Sequence, residues 1–260
     1  MDLPFHPLAP RSGERGRGEG VGSAEAPVVE IENVTKDYRG LRPLRLASLA
    51  VRAGERVAIA GFDRITAEIF VNLINGAILP DSGEVRIFGT PTSAIEHGDA
   101  WLEGLDRFGI VTERAVLLDG MSIAQNLALP FSLDIDPLTD EVRARVEALA
   151  RETGIDAAQL DRPAVQAPVA TRMRIHLGRA LAPNPRVLLM EHPTASLARE
   201  DVPAFARTVR AAIEPRHIAL IALTEDTEFA DAVAETALKL HAGTGALSST
   251  RGWRRWLGRG

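Results

Sequence analysis

No cysteine occurs among the 260 residues, which excludes disulfides and thiolate metal sites. Lysine is nearly absent as well: Lys36 and Lys239 are the only two among 30 Lys and Arg residues. Coding bias alone explains such a habit, yet any site that needs a nearby lysine must find one of these two. Tyrosine occurs once, at Tyr38. No apolar run reaches the ~18 residues that a membrane-spanning helix needs. The N-terminus lacks an apolar signal core, so secretion is not expected. A net charge of −5 argues against a surface built for nucleic acid, and no nucleic-acid partner is expected.

What is present is an ordinary globular composition, 45% hydrophobic and 25% charged. Residues 1–26, with PRSGERGRGEG at 10–20, lack periodic apolar residues and are expected to be a disordered leader. From Pro27 onward, short β-type runs alternate with helical patterns. Strands are expected at Val28–Val34, Leu44–Val51, Arg56–Ala60, Glu84–Phe88, Val187–Met190, Ile218–Leu223 and Ala237–Leu240. Helices are expected at Thr66–Ile74, Thr139–Thr153, Thr171–Leu181, Val202–Ile213 and Thr227–Ala234. This alternation predicts an α/β fold with a mainly parallel sheet covered on both faces. An antiparallel β region precedes the sheet, and a helical subdomain is inserted between its strands. The expected division is an α/β core at 27–116 and 182–244, a helical subdomain at 117–181, and a tail at 245–260. That tail ends in RGWRRWLGRG, a basic aromatic segment suited to an anionic membrane surface.

The stretch from Val57 to Glu68 reads as a buried strand, a tight turn and the start of a helix. In that setting a P-loop of pattern G-x-x-x-x-G-K-[ST] cradles phosphates. Gly61 fits the first position, but the last three hold Thr66, Ala67 and Glu68. Arg64 and the β-branched Thr66 resist the positive-φ turns of a phosphate nest. Asp63 and Thr66 are instead good caps for the helix start.

Several phrases in order resemble the ATPase subunit of ABC transporters: PDSGEVRIFG at 80–89, Asn126–Pro130, and LGRALAPNPRVLLMEHPTASL at 177–197. The resemblance covers Val28 to about Thr244 and implies a P-loop NTPase-type core, with ATP and Mg²⁺ as the family's cofactors. It further implies a membrane permease or another ABC ATPase subunit as partner, and a location on the cytoplasmic side of the inner membrane. Position by position, the resemblance places Glu191 at the Walker B aspartate and His192 at the catalytic glutamate. It places Glu113 at the Q-loop glutamine, Glu225 at the switch histidine and Ala198 at the D-loop aspartate. Ala67 and Glu68 take the P-loop lysine and hydroxyl positions. Ala167, Pro168, Val169, Ala170 and Thr171 take the signature, which in the family faces the ATP of an opposing subunit. Tyr38 falls where the family stacks an aromatic on adenine, a contact of ~1–3 kcal/mol. Glu191 is the one candidate metal ligand. The other histidines, His6, His97, His176, His217 and His241, show no ligand spacing and read as structural or surface residues.

The resemblance brings Glu68, Glu113, Glu191 and Glu225 together, with Arg64 and His192 against them. Each carboxylate would repel a phosphate by roughly 2–3 kcal/mol at ~6 Å and an effective dielectric of ~20. Three readings follow. The first is a catalytically inactive subunit kept for structure or regulation, with its anion site filled from within. The second is a divergent ATPase that binds ATP weakly through Tyr38 and Glu191. The third is a repurposed acidic site for a divalent cation or a partner's basic side chain.

Overall fold

The computed structural model describes residues 26–95 and 98–250. The expected leader, apart from Ala26, and the RGWRRWLGRG segment lie outside the described residues.

The chain opens with β1 (Val29–Lys36) and β2 (Leu44–Val51), then β3 (Arg56–Ala60) and the helix α1 (Arg64–Ile74). β4 (Ser82–Ile87), the two-residue β5 (Thr90–Pro91), α2 (Asp99–Leu105) and β6 (Phe108–Val111) follow. Three helices come next: α3 (Ile123–Ala128), α4 (Asp140–Glu152) and α5 (Val169–Leu181). The chain then runs through β7 (Val187–Glu191), α6 (Val202–Ile213), β8 (Ala219–Leu223), α7 (Thr227–Val233), β9 (Thr236–His241) and β10 (Ala246–Ser249).

Two sheets form. An antiparallel sheet has the order β2-β1-β4-β5. The central sheet has the order β10-β9-β3-β8-β7-β6, parallel except where β10 returns against β9. β10 lies inside the stretch expected as tail. An amide–carbonyl bond of 2.8 Å from Ala47 to Gly245 ties the two sheets at that corner.

Between Arg56 at the start of β3 and Glu191 at the end of β7, the strands β3, β7 and β8 are apolar, because both of their faces are covered. Alternate residues divide between two cores, as the two-residue strand period requires. Val57, Ile59, Val187, Leu189, Ile221 and Leu223 pack with α1 and the antiparallel sheet. Ala58, Leu188, Met190, Leu220 and Ala222 pack with the inserted helices and α6. Gly109 on β6 allows the strand to approach α5 closely, since a Cβ there would lie 2.5 Å from the Ala180 carbonyl oxygen.

Two expected boundaries shift. α1 begins at Arg64, two residues before the expected Thr66, because Asp63 caps it there. α5 begins at Val169 rather than Thr171, so most of the signature stretch is helical. α2, β6, α3 and β10 are short and were not expected from periodicity.

Candidate functional site

Strands β3, β8, β7 and β6 are parallel neighbours, so their carboxyl ends open on one edge of the sheet. In open α/β sheets this is the edge where ligands bind. It carries Gly61 after β3, Thr224 and Glu225 after β8, Glu191 at the end of β7, His192 beyond it, and Thr112 to Arg114 after β6.

At the β3–α1 turn, Gly61 has φ +97°, and an added Cβ would lie 2.7 Å from the Leu240 carbonyl oxygen. Only glycine meets both conditions without strain. The Gly61 amide donates to Glu225 Oε1 at 2.6 Å. Asp63 and Thr66 form a reciprocal capping box. The Thr66 amide donates to Asp63 Oδ1 at 2.8 Å, and the Asp63 amide donates to Thr66 Oγ1 at 3.0 Å. The Thr66 amide, followed by the Thr66 hydroxyl, holds the Asp63 carboxyl below its usual range. The Ala67 amide already donates within the helix, to the Asp63 carbonyl at 2.9 Å. The amides of this turn are thus largely committed to the protein's own oxygens. Ala67 is fully buried in the core beneath α1 and presents no side chain to the cleft.

Beside this turn lies a cleft of about 340 Å³, lined by Arg64, Ile65, Glu68, Thr112, Glu113, Arg114, Glu191 and His192. Its centre is Arg114. Nη2 meets Glu191 Oε1 at 2.6 Å and Oε2 at 2.8 Å, and Nε donates to Glu191 Oε2 at 3.2 Å. Nη1 reaches Glu68 Oε1 at 2.5 Å. Thr112 Oγ1 adds a further bond of 3.1 Å to Glu191. Glu191 is only 5% exposed, so its charge is sustained by these donors. Arg64 pairs with Glu113 at 3.2 Å. Glu113 Oε1 and His192 Nε2 are buried without a partner among the described residues. His192 holds φ +44°, an uncommon conformation for a residue other than glycine.

Three of the four converging glutamates therefore share one cleft. Glu225 does not join them: it lines a separate cleft of about 230 Å³ with Asp226 and Lys239, and its carboxylate turns to Gly61. The expectation of an unbalanced acidic cluster is corrected by Arg114, whose guanidinium neutralises two carboxylates at once. The β6–β7 register explains its reach. Val111 pairs with Met190, which brings Thr112 and then Arg114 level with Glu191. An expected β6 strand would have signalled this pairing, but four residues give too little period to read.

Tyr38 lies half-buried over Gly40, where an added Cβ would fall 2.3 Å from its ring. It lines a pocket of about 400 Å³ with Arg42, Arg45, Gly61, Asp63, Ile65 and Thr66. Pro168 is the N-cap of α5 and offers no side-chain cap. Val169, Ala170 and Thr171 form the first turn of that helix, after Ala167. None of these five positions lines the 340 Å³ cleft. Ala198 caps a short turn after β7. Neither lysine reaches the P-loop position: Lys36 pairs with Asp81 at 2.7 Å, and Lys239 lines the Glu225 cleft.

The family model for ABC transporters matches residues 44–195. The chain belongs to the ABC transporter family. Among curated ABC proteins, it is 30% identical over 219 residues to the methionine import ATP-binding protein MetN of Caulobacter vibrioides. That match covers 83% of this chain and 65% of the relative. It is 30% identical over 220 residues to the sulfate/thiosulfate import ATP-binding protein CysA of Methylococcus capsulatus, covering 83% and 61%. The chain thus spans under two thirds of these relatives' length. In fold it superposes on the dimeric ATP-binding cassette MJ0796 bound to ADP and Pi, with TM-score 0.71 and 23% identity. That alignment covers 85% of this chain and 98% of the other. It superposes equally well on cbiO1 from Clostridium perfringens, with TM-score 0.71 and 21% identity, covering 85% and 87%. In this ABC cassette the strand-turn-helix frame persists, and the antiparallel sheet stands before the parallel core as expected.

Proposed function

We propose that this ABC cassette does not hydrolyse ATP and serves as a structural or regulatory subunit of a membrane transport complex. The observation that carries this reading is the Arg114 bridge. It saturates Glu191, the expected metal-side carboxylate, and ties it to Glu68, which stands where the P-loop hydroxyl belongs. The residues present do not fit a magnesium-bound triphosphate. Ala67 supplies no ammonium, the Asp63–Thr66 box occupies the helix start, and Glu225 takes the Gly61 amide. No group of three or more His, Cys, Asp or Glu that could hold a metal occurs among the described residues. This last fact weighs against the cation-binding alternative.

The competing reading, a divergent ATPase, is favoured by one observation: the pocket at Tyr38 retains two arginines and room of about 400 Å³. An ATPase assay on the purified chain separates the two. The proposed role predicts turnover at the level of the no-protein control, and Mg-ATP hydrolysis well above it that disappears in His192→Ala would refute it.

The relatives' names, import ATP-binding proteins, support a permease or another cassette as partner and a place on the cytoplasmic face of the membrane. No described helix is long and apolar enough to cross a membrane itself. A groove of about 500 Å³ between α2, β6, the end of α3 and α5 suits a docking segment. It is lined by Trp101, Leu105, Phe108, Leu129 and Pro130, with His176 and Arg179 from α5. Next in sequence to lining residues, Leu102 is 55% and Val116 73% exposed among the described residues. Leu129 and Pro130 contribute to this groove, whereas α4 supplies none of its lining. An adhering partner lost on substituting Trp101 or Leu129 tests this placement.

A further inference from the structure

The last described residue, Thr250, stands at the lip of the cleft that holds Glu225. β10 returns antiparallel to β9 and brings Thr250 beside Ala237, where its amide and hydroxyl donate to the Ala237 carbonyl at 2.9 and 3.1 Å. The next ten residues, RGWRRWLGRG, carry four arginines, two tryptophans and no acid. The cleft, about 230 Å³, falls below the ~300–1,000 Å³ of small-molecule pockets and is closer to the size of one large side chain. Its apolar wall comes from short side chains on three elements, Ala58 on β3, Ala230 on α7 and Ala237 on β9, each at most 9% exposed. Glu225, Asp226 and Asp231 line it against one cation among the described residues, Lys239, so the cleft is acidic. Lys239 is level with the end of β3 at Ala60, two strand residues or about 7 Å beyond Ala237. Three residues of extended chain span up to ~10 Å. Trp253 therefore reaches the whole cleft from Thr250, and Arg254 and Arg255 reach its acidic side.

We propose that the C-terminal segment of this chain docks in cis on the Glu225 cleft. The Trp253 indole lies against the alanine wall, and the Arg254 and Arg255 guanidiniums donate to the carboxylates of Asp226 and Asp231. Arginine forks suit carboxylates, and an indole gains by leaving water. The same residues would suit an anionic lipid surface, but the acidic lining at the point where the segment starts repels such a surface and attracts the arginines. Glu225 Oε1 already accepts from the Gly61 amide at 2.6 Å, so the docked segment covers the carboxylate that holds the β3–α1 turn.

The test uses the full chain and acrylamide quenching of Trp253, read as the difference between each protein and its own Trp253→Phe counterpart. In the parent, Trp253 is expected to be quenched at least threefold less than N-acetyltryptophanamide. Asp231→Arg, on the exposed side of α7, should abolish that shielding, and so should the pair Arg254→Glu and Arg255→Glu. Combining all three changes should restore at least half of it, a rescue that loss of folding would not give. Thermal melts confirm that each variant is folded. A Trp253 as open in the parent as in the small compound, shielding untouched by Asp231→Arg, or a charge swap that restores nothing overturns the inference. Shielding that appears only with phosphatidylglycerol vesicles, or only at high protein concentration, also overturns it, in favour of a membrane or a second copy of the chain.

Discussion

Replacing Arg114 by Met keeps the aliphatic stem and removes the cation. Glu191, 5% exposed, then loses the donors at 2.6, 2.8 and 3.2 Å and retains only Thr112. Breaking a fully buried pair costs about 3–5 kcal/mol. The Arg114 side chain is 47% exposed, so water reaches the gap, and about 2–3 kcal/mol is the expected loss. For a domain of this size that lowers Tm by roughly 4–12 °C. Glu191→Gln leaves Arg114 bound to Glu68 and open to water, at about 1 kcal/mol. The double variant removes both charges of the pair, so it should be at least ~1.5 kcal/mol more stable than the sum of the single losses. Urea unfolding followed by circular dichroism measures all three. Additive losses, or an Arg114→Met variant within ~0.5 kcal/mol of the parent, would refute the claim that the bridge holds the site closed.

Three further outcomes follow from the same contacts. Asp63→Ala removes the helix cap and should cost about 1 kcal/mol. Because the Asp63 carboxyl is held below its usual range, its contribution is present above about pH 4 and is lost as pH falls through the lowered value, a dependence that pH-resolved melts of parent and variant would show. His176, at about 4 in the folded chain against an ordinary 6.5, takes up its proton mainly on unfolding. Stability should therefore be full above about pH 6.5 and fall by up to roughly 3 kcal/mol toward pH 4, and His176→Leu should remove that part of the slope. Gly61→Ala must accommodate φ +97° and a 2.7 Å approach to Leu240. It should cost roughly 2 kcal/mol or more, visible as a drop in the urea midpoint.

The central parallel strands and the long helices were legible because their apolar periods are long or fully buried. β3, β7 and β8 read as strands from sequence, and the buried face of α1 fell on Ile69, Phe70, Leu73 and Ile74 as expected. That Ala67 stands where the resemblance expects the P-loop lysine could be read directly from the sequence. Arg114 could not, because its role depends on β6 lying beside β7, and a strand of four residues carries little pattern. Glu225 was expected among the other glutamates, but its place was decided by a backbone amide, a donor that sequence does not display. His176 looked like one more structural histidine, since its burial becomes apparent only once α5 packs against β6.

The central claim is that this cassette fills its own phosphate and metal positions. Calorimetric titration of the full chain with Mg-ATP tests it most directly. The account predicts no heat of binding up to about 1 mM nucleotide; saturable binding with a dissociation constant in the low micromolar range would contradict it.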